Sequence, residues 1–297
     1  MPVLKYLIRS MRPKQWPKNL VVFAGLIFAQ KIFSARNGAL VIHWIPILRA
    51  CGAFAAFCVV SSASYLLNDV CDREADRIHP TKRNRPIASG ALPVSIAVTA
   101  AIVLFAVGLA GSFLLTWKLP AILLGYLVLN IAYSVRLKHV VILDVLILAV
   151  GFVLRAFAGT VVIDVNLSVW LFLCTILLAL FLVLTKRRAE MTVFEGATQQ
   201  RSVLANYSPA LLDQMISVVT ASTVVSYAIY TTTPSEFHTR NLVLTVPFVI
   251  YGIFRYLYLV YQKQVGTDPD RALFKDVPLV INNLLWLIAA GVIIYFF

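Results

Sequence analysis

Apolar residues fill this chain in long unbroken runs, without the alternation of a half-buried strand or the three-to-four spacing of a helix with one wet face. Nine runs stand out, over residues 19–35, 47–67, 94–116, 120–136, 141–163, 167–185, 211–232, 242–261 and 278–297. Each is close to the roughly 20 residues an α-helix needs to cross about 30 Å of hydrocarbon. The pattern therefore predicts an all-α, polytopic membrane bundle of about nine transmembrane helices. Residues 1–18 predict a cytoplasmic interfacial segment, with an amphipathic helix over 1–15 that Pro13 and Pro17 turn into the first span. No small-residue cleavage site follows, so the segment reads as retained and not as a signal peptide. No linker or soluble insertion interrupts the runs, and residues 1–297 are expected to form a single transmembrane domain.

Composition agrees: 60% of the residues are apolar and 13% charged, and the mean hydropathy is +0.85. The formal charge of +13 would suit a nucleic-acid partner only if a basic face stood on a soluble domain or arm, and none is visible, so no nucleic acid is expected. Topology explains the charge instead. With the N-terminus inside, only Lys31, Arg36, Arg49, Lys118 and Arg240 of the 26 Lys and Arg fall on the far side, and Arg155 lies within a span. By the positive-inside rule this predicts a multi-pass protein of a bacterial inner (plasma) membrane, with its N-terminus and polar motifs cytoplasmic. Trp44, Trp117 and Trp170 sit near predicted outer ends and read as interfacial anchors. The four cysteines show no paired spacing and read as reduced structural thiols.

After the second run the chain reads Asn68-Asp69-Val70-Cys71-Asp72-Arg73-Glu74-Ala75-Asp76, an N-D-x-x-D-x-x-x-D pattern. On one continuous helix Asp69, Asp72 and Asp76 fall within about 60° of each other. Like charges so close repel unless a cation lies between them, and hard oxygen ligands suit Mg²⁺ or Mn²⁺, which keep positions open for substrate phosphates. Asn68 is expected to assist as a ligand, and Glu74 to be solvated. The plainer reading is a charged helix end in which Asp72 and Asp76 pair with Arg73, Arg77 or Lys82. Acids abutting an apolar span favour function.

Downstream lies Lys82-Arg83-Asn84-Arg85-Pro86-Ile87-Ala88-Ser89-Gly90, a basic loop with Pro and Gly to fix a turn. Together the two motifs resemble the UbiA-type superfamily of intramembrane prenyltransferases. The resemblance implies a nine-helix catalytic bundle whose aspartates hold Mg²⁺ against a pyrophosphate. Members of that superfamily commonly carry a second acidic motif after the sixth span, where this chain reads Thr185-Lys186-Arg187-Arg188-Ala189-Glu190-Met191, with Glu195 beyond. A cationic loop opposite an acidic one suits a substrate with phosphates at both ends; the plainer reading is an i,i+4 ion pair between Lys186 and Glu190.

Arg12-Pro13-Lys14-Gln15-Trp16-Pro17-Lys18-Asn19 and Tyr133-Ser134-Val135-Arg136-Leu137-Lys138, with the K-R-R-A-E stretch, resemble one branch of the superfamily, the decaprenyl-phosphate phosphoribosyltransferases. That resemblance implies transfer of 5-phosphoribosyl from 5-phosphoribosyl-1-pyrophosphate to a polyprenyl phosphate, with release of pyrophosphate, in cell-wall arabinan precursor synthesis. Asp69, Asp72 and Asp76 would then be catalytic. Lys82, Arg85, Lys186 and Arg187 are expected to grip ribose phosphate or pyrophosphate, and Lys14, Lys18, Tyr133 and Lys138 the lipid phosphate or the donor's 5-phosphate. Gln15 and Glu190 are counted as binding residues with their motifs. Any one of these cations also has the plainer reading of positive-inside decoration. Arg155, inside the fifth run, must face the bundle interior or a cavity. Asp144 lies on its helical face but about 16 Å away, too far to pair, and is expected to contact ribose or metal. His79 is left out as a lone loop histidine.

Two other functions compete with this one. A prenyltransferase acting on an aromatic or porphyrin acceptor shares the acidic motif but calls for a second acidic loop. A transporter or lipid flippase predicts midplane polar residues and paired broken helices. Prenyl chain length and physiological metal are not legible, and a homo-oligomer remains open.

Overall fold

A computed structural model of the chain describes residues 2–36, 39–78, 82–193, 202–233, 240–263 and 275–296. His79 and Glu195 lie outside the described residues. Helix α1 (Pro2–Ser10) precedes a 3₁₀ segment, Pro13–Phe23, and a short helix α2 (Ala24–Phe28). The bundle continues with α3 (Trp44–Cys71), α4 (Arg73–Ile78), α5 (Val94–Ser112), α6 (Leu119–Val135), α7 (Leu143–Val162), α8 (Val169–Val193), α9 (Pro209–Thr232), α10 (Val246–Tyr261) and α11 (Val277–Phe296).

Among the described residues seven helices are long and apolar enough to cross a membrane, and Leu119–Val135 is a shorter apolar helix. With the 13–28 segment they occupy all nine predicted runs, and the chain is a multi-pass membrane protein. The first run departs from a regular helix. Pro13 and Pro17 lack the N–H donors of an α-helical ladder, and the tighter 3₁₀ winding takes over. This segment packs against α7, where Gly159 lets the chains meet: a Cβ there would come within 1.9 Å of the Val22 carbonyl oxygen. The end of the run is strand, a small hairpin on an otherwise helical bundle: β1 (Phe33–Arg36) pairs antiparallel with β2 (Ala39–Ile42), Phe33 opposite Ile42. The Phe33 ring stacks on Tyr295 of α11 at 4.1 Å between centroids.

Helix α3 has 28 residues, about 42 Å at 1.5 Å per residue, and so reaches beyond the hydrocarbon. Its interior hydroxyls bond back along the helix, Ser62 Oγ to the Cys58 carbonyl at 2.7 Å and Ser64 Oγ to that of Val60 at 3.0 Å. Those hydroxyls are thereby met within the helix itself. Elsewhere helix starts are capped at the same bundle end. Ser208 Oγ accepts from the Leu211 amide at 3.1 Å ahead of Pro209, and Asp276 Oδ1 accepts from that of Leu279 at 3.0 Å. The Arg255 guanidinium, 2.8 Å from Asp276, holds that carboxyl below its ordinary range.

The outer-end tryptophans divide. Trp44 and Trp117 are exposed, as anchors should be, whereas Trp170 lines an internal cavity of about 950 Å³. The four cysteines are free thiols.

Candidate active site

The C-terminal end of α3, the loop before α5, the end of α6 and the start of α7 deliver their polar residues to one end of the bundle. The acidic stretch is not the single helix expected from its spacing. Helix α3 stops at Cys71, and Asp72 adopts φ −87°, ψ 2° as its cap, in the bridge region where a chain changes direction. Helix α4 then restarts, with the Asp76 amide still bonded to the Asp72 carbonyl at 2.8 Å.

That break parts the carboxylates. Asp69 and Asp76, both buried, share one guanidinium: Arg85 Nη1 lies 3.0 Å from Asp69 and 2.7 Å from Asp76. Arg12 closes on the same Asp69 oxygen as Arg85. Asp72 turns away, to the ammonium of Lys138 and to Asn68 Nδ2 at 3.1 Å. Asn68 is fixed in turn by the Ser134 hydroxyl, 2.8 Å from its carbonyl oxygen. Asp72 and Asp76 thus meet Lys138 and Arg85, where the plainer reading had offered neighbours such as Arg77, which binds Glu74 at 3.1 Å.

No three acid, thiol or imidazole groups among the described residues form a ready-made metal cage. Two carboxylates converging on one cation are what Mg²⁺ takes from a protein when phosphates and water complete its shell. The donor set therefore fits such an ion, which Asp69 and Asp76 would hold with Asp72 adjoining.

A second cluster lies across α6. Asp144, 0% exposed in the first turn of α7, accepts from Arg187 Nε at 3.1 Å and from the Tyr207 hydroxyl at 2.8 Å. Arg187, itself 2% exposed, also donates to Glu190 at 3.0 Å and to Tyr133 at 3.4 Å. Glu190 thus pairs at i,i+3 with Arg187. Tyr207 also accepts from the Ile142 amide at 2.8 Å. Burial and the neighbouring Asp144 carboxylate push its phenol up to about 12, so it stays a donor. Consecutive residues of α6 face both clusters, Tyr133 towards Arg187 and Ser134 towards Asn68.

Arg155 is deep in the bundle, 5% exposed, and its donors reach Asn19 Oδ1, the Gly151 carbonyl and the Tyr126 hydroxyl, each at 2.7 Å. Its guanidinium also lies over the Tyr126 ring at 4.7 Å. Neutral dipoles and an aromatic face carry this charge, tying the first segment to α6 and α7. Lys14 is exposed, while Gln15, Lys18, Lys82 and Lys186 are half-buried around this end of the bundle. Arg12, Ser134 and Tyr207 were missed as partners. Arg12 stood in the quoted first motif, but nothing in its spacing from Asp69 marks the contact.

Arg12 holds its place at φ 54°, ψ 60°, the left-handed region that costs a non-glycine residue about 1–2 kcal/mol. Arg12→Gly relieves that strain and deletes the guanidinium. If Arg12 serves the site, this variant melts no lower than wild type but loses turnover by about 10²-fold, on the order of one charged contact in a transition state; unchanged turnover with a raised melting temperature would make Arg12 a helix terminator only.

The family model of the UbiA prenyltransferase family matches residues 21–284. A decaprenyl-phosphate phosphoribosyltransferase of Corynebacterium glutamicum is 36% identical over 97% of this chain and 86% of its own. One of Mycobacterium tuberculosis is 33% identical over 97% and 94%. Among solved structures, a UbiA homolog from Archaeoglobus fulgidus bound to GPP and Mg²⁺ superposes with a TM-score of 0.73 at 18% identity, covering 97% of this chain and 99% of that one; at that identity it speaks for the fold. On sequence and architecture together, this chain belongs to the UbiA prenyltransferase family.

Proposed function

We propose that the chain transfers a 5-phosphoribosyl group from 5-phosphoribosyl-1-pyrophosphate to a polyprenyl phosphate, releasing pyrophosphate, at the cytoplasmic face of a bacterial inner membrane. The observation that carries this reading is near-full-length similarity to proteins bearing that activity's name, at 36% and 33% identity. The site's chemistry supports it. An oxygen of the lipid phosphate attacks the anomeric carbon as the bond from that carbon to pyrophosphate breaks, and the electron pair leaves with the pyrophosphate. The nucleophile is already an anion, so no general base is required.

Mg²⁺, for which Mn²⁺ is the alternative, supplies charge neutralisation for the departing pyrophosphate when bound. Asp69, Asp76 and Asp72, with Asn68 steadying Asp72, are the residues to hold it. Arg85, Arg12 and Lys138, now on those carboxylates, are positioned to pass to phosphate oxygens as substrate arrives, with Lys82, Lys186, Lys14, Lys18 and Gln15 around them. Asp144, Arg187, Glu190 and Tyr133 hold the α6, α7 and α8 ends in register, and Arg155 ties the first segment in. The cavity of about 950 Å³, lined by Phe28, Leu178, Tyr230, Phe248, Trp286 and their neighbours, is apolar enough for a prenyl chain. We assign the product to cell-wall arabinan precursors.

Membranes carrying the protein are incubated with labelled phosphoribosyl pyrophosphate, polyprenyl phosphate and Mg²⁺. Labelled lipid and pyrophosphate are expected, and chelation abolishes both. Consumption of an isoprenyl pyrophosphate with no labelled lipid would instead establish transfer of a prenyl group to another acceptor.

A further inference from the structure

Beside the carboxylates a smaller hollow of about 200 Å³ opens between the end of α1 and the loop before α5. Arg9, Arg12, Lys82 and Arg85 line it, with Ser10 and Asn84 between them, and Asp69 is its sole acid. Counting Asp76 behind Arg85, four cations face two carboxylates, an excess of two positive charges. Its volume is below the roughly 300–1,000 Å³ of sites that enclose a whole ligand and suits one small anionic group. Ser10 points the same way. Its side chain is 2% exposed, yet its hydroxyl finds no hydrogen-bond partner. A buried donor left unmade costs free energy, and here it stands in the wall of a cationic hollow. The residues at this end of α1 were expected only to lie on the membrane surface.

We propose that this hollow is a subsite for a phosphate monoester, held by Arg9, Lys82 and the Ser10 hydroxyl beside the Asp69 and Asp76 carboxylates. A phosphoryl dianion carries about −1.5 to −2 at neutral pH and three acceptor oxygens, matching the excess charge and the idle donor. Within the two-substrate reaction proposed above, on which this assignment rests, the monoester is either the sugar donor's 5-phosphate or the phosphate of the lipid. Helix α1 thereby becomes a wall of the active site.

The test uses the full chain in nanodiscs with Mg²⁺, comparing Ser10→Ala and Arg9→Gln with wild type. Affinities for ribose 5-phosphate, polyprenyl phosphate, inorganic phosphate, pyrophosphate and phosphoribosyl pyrophosphate are read by titration calorimetry and by ligand-induced melting shifts. Ser10→Ala without ligand is expected to melt at or above the wild-type temperature, because an unmet polar group is removed. Its affinity for the monoester should fall about tenfold, the scale of one hydrogen bond to a charged group, with pyrophosphate affected less. The arm that weakens, sugar phosphate or lipid phosphate, names the carrier. Affinities within about twofold of wild type for all three monophosphates, or no binding of any of them to wild type, overturns the subsite. Capture of inorganic phosphate that Arg9→Gln abolishes, in a protein that binds no phosphoribosyl pyrophosphate, keeps the subsite and removes the proposed reaction.

Discussion

Asp69→Asn is expected to lower kcat/KM by about 10³-fold, the scale of losing a charge that stabilises a developing anion in a secluded site. Asp69 is buried near the C-terminal end of α3, with Arg12 and Arg85 both upon it. Asparagine keeps its shape and removes its charge, so a divalent ion held there would lose a ligand and the two guanidiniums lose their anchor. Asp76→Asn should behave alike, since it shares Arg85. Asp72→Asn should cost less, about tenfold, because Asp72 is a quarter exposed and faces Lys138, the range of residues that orient a metal ligand. Initial rates with saturating Mg²⁺, alongside melting curves to show that the variants fold, separate these cases. Asp69→Asn turning over at more than a tenth of the wild-type rate would remove the carboxylate cluster from the chemistry.

The second large effect falls on stability. Arg187→Ala strands the Asp144 carboxylate, and Asp144→Ala strands the guanidinium, in a setting where both are at most 2% exposed. Breaking a buried pair from one side costs about 3–5 kcal/mol. Replacing both by apolar residues of similar volume, Asp144→Leu with Arg187→Met, should cost less than either alanine variant, because no fully buried uncompensated charge remains, and Glu190, a fifth exposed, keeps access to water. Thermal unfolding of the three proteins in nanodiscs yields the comparison, and a double variant less stable than both alanine variants would show that a stranded charge is not what the single changes cost. The double variant should fold yet turn over slowly, because Tyr133 loses the Arg187 contact that fixes it beside Ser134 and Asn68.

Much of this molecule follows from local pattern. Runs such as 94–116 and 141–163 emerge as α5 and α7 with ends displaced by only a few residues, because a helix that meets all its own backbone hydrogen bonds is one of the few structures lipid tolerates. The first run winds differently from a regular helix for a physical reason. Hydrophobicity reports burial, whereas Pro13 and Pro17 decide the winding and the turn to β1 uses the chain's exit from the bundle. The acidic motif was legible as chemistry, since residue type and proximity to a span suffice to make carboxylates expensive without a cation. Its division into Asp69 with Asp76 on one side and Asp72 on the other was not, because a single residue of bridge-region backbone at Asp72 redirects what helical spacing would align.

What the sequence determined by itself is therefore the membrane bundle, the single polar end and the acid-and-base character of that end, each set by short-range composition and periodicity. Only the tertiary structure decided which charges meet. Arg12 reaches Asp69 across 57 positions, Lys138 reaches Asp72 across 66, and Arg155 settles on Asn19 and Tyr126 in place of any carboxylate. Electrostatic partners in a low-dielectric interior are chosen by distance in space, and that distance exists only once helices far apart in the chain have packed.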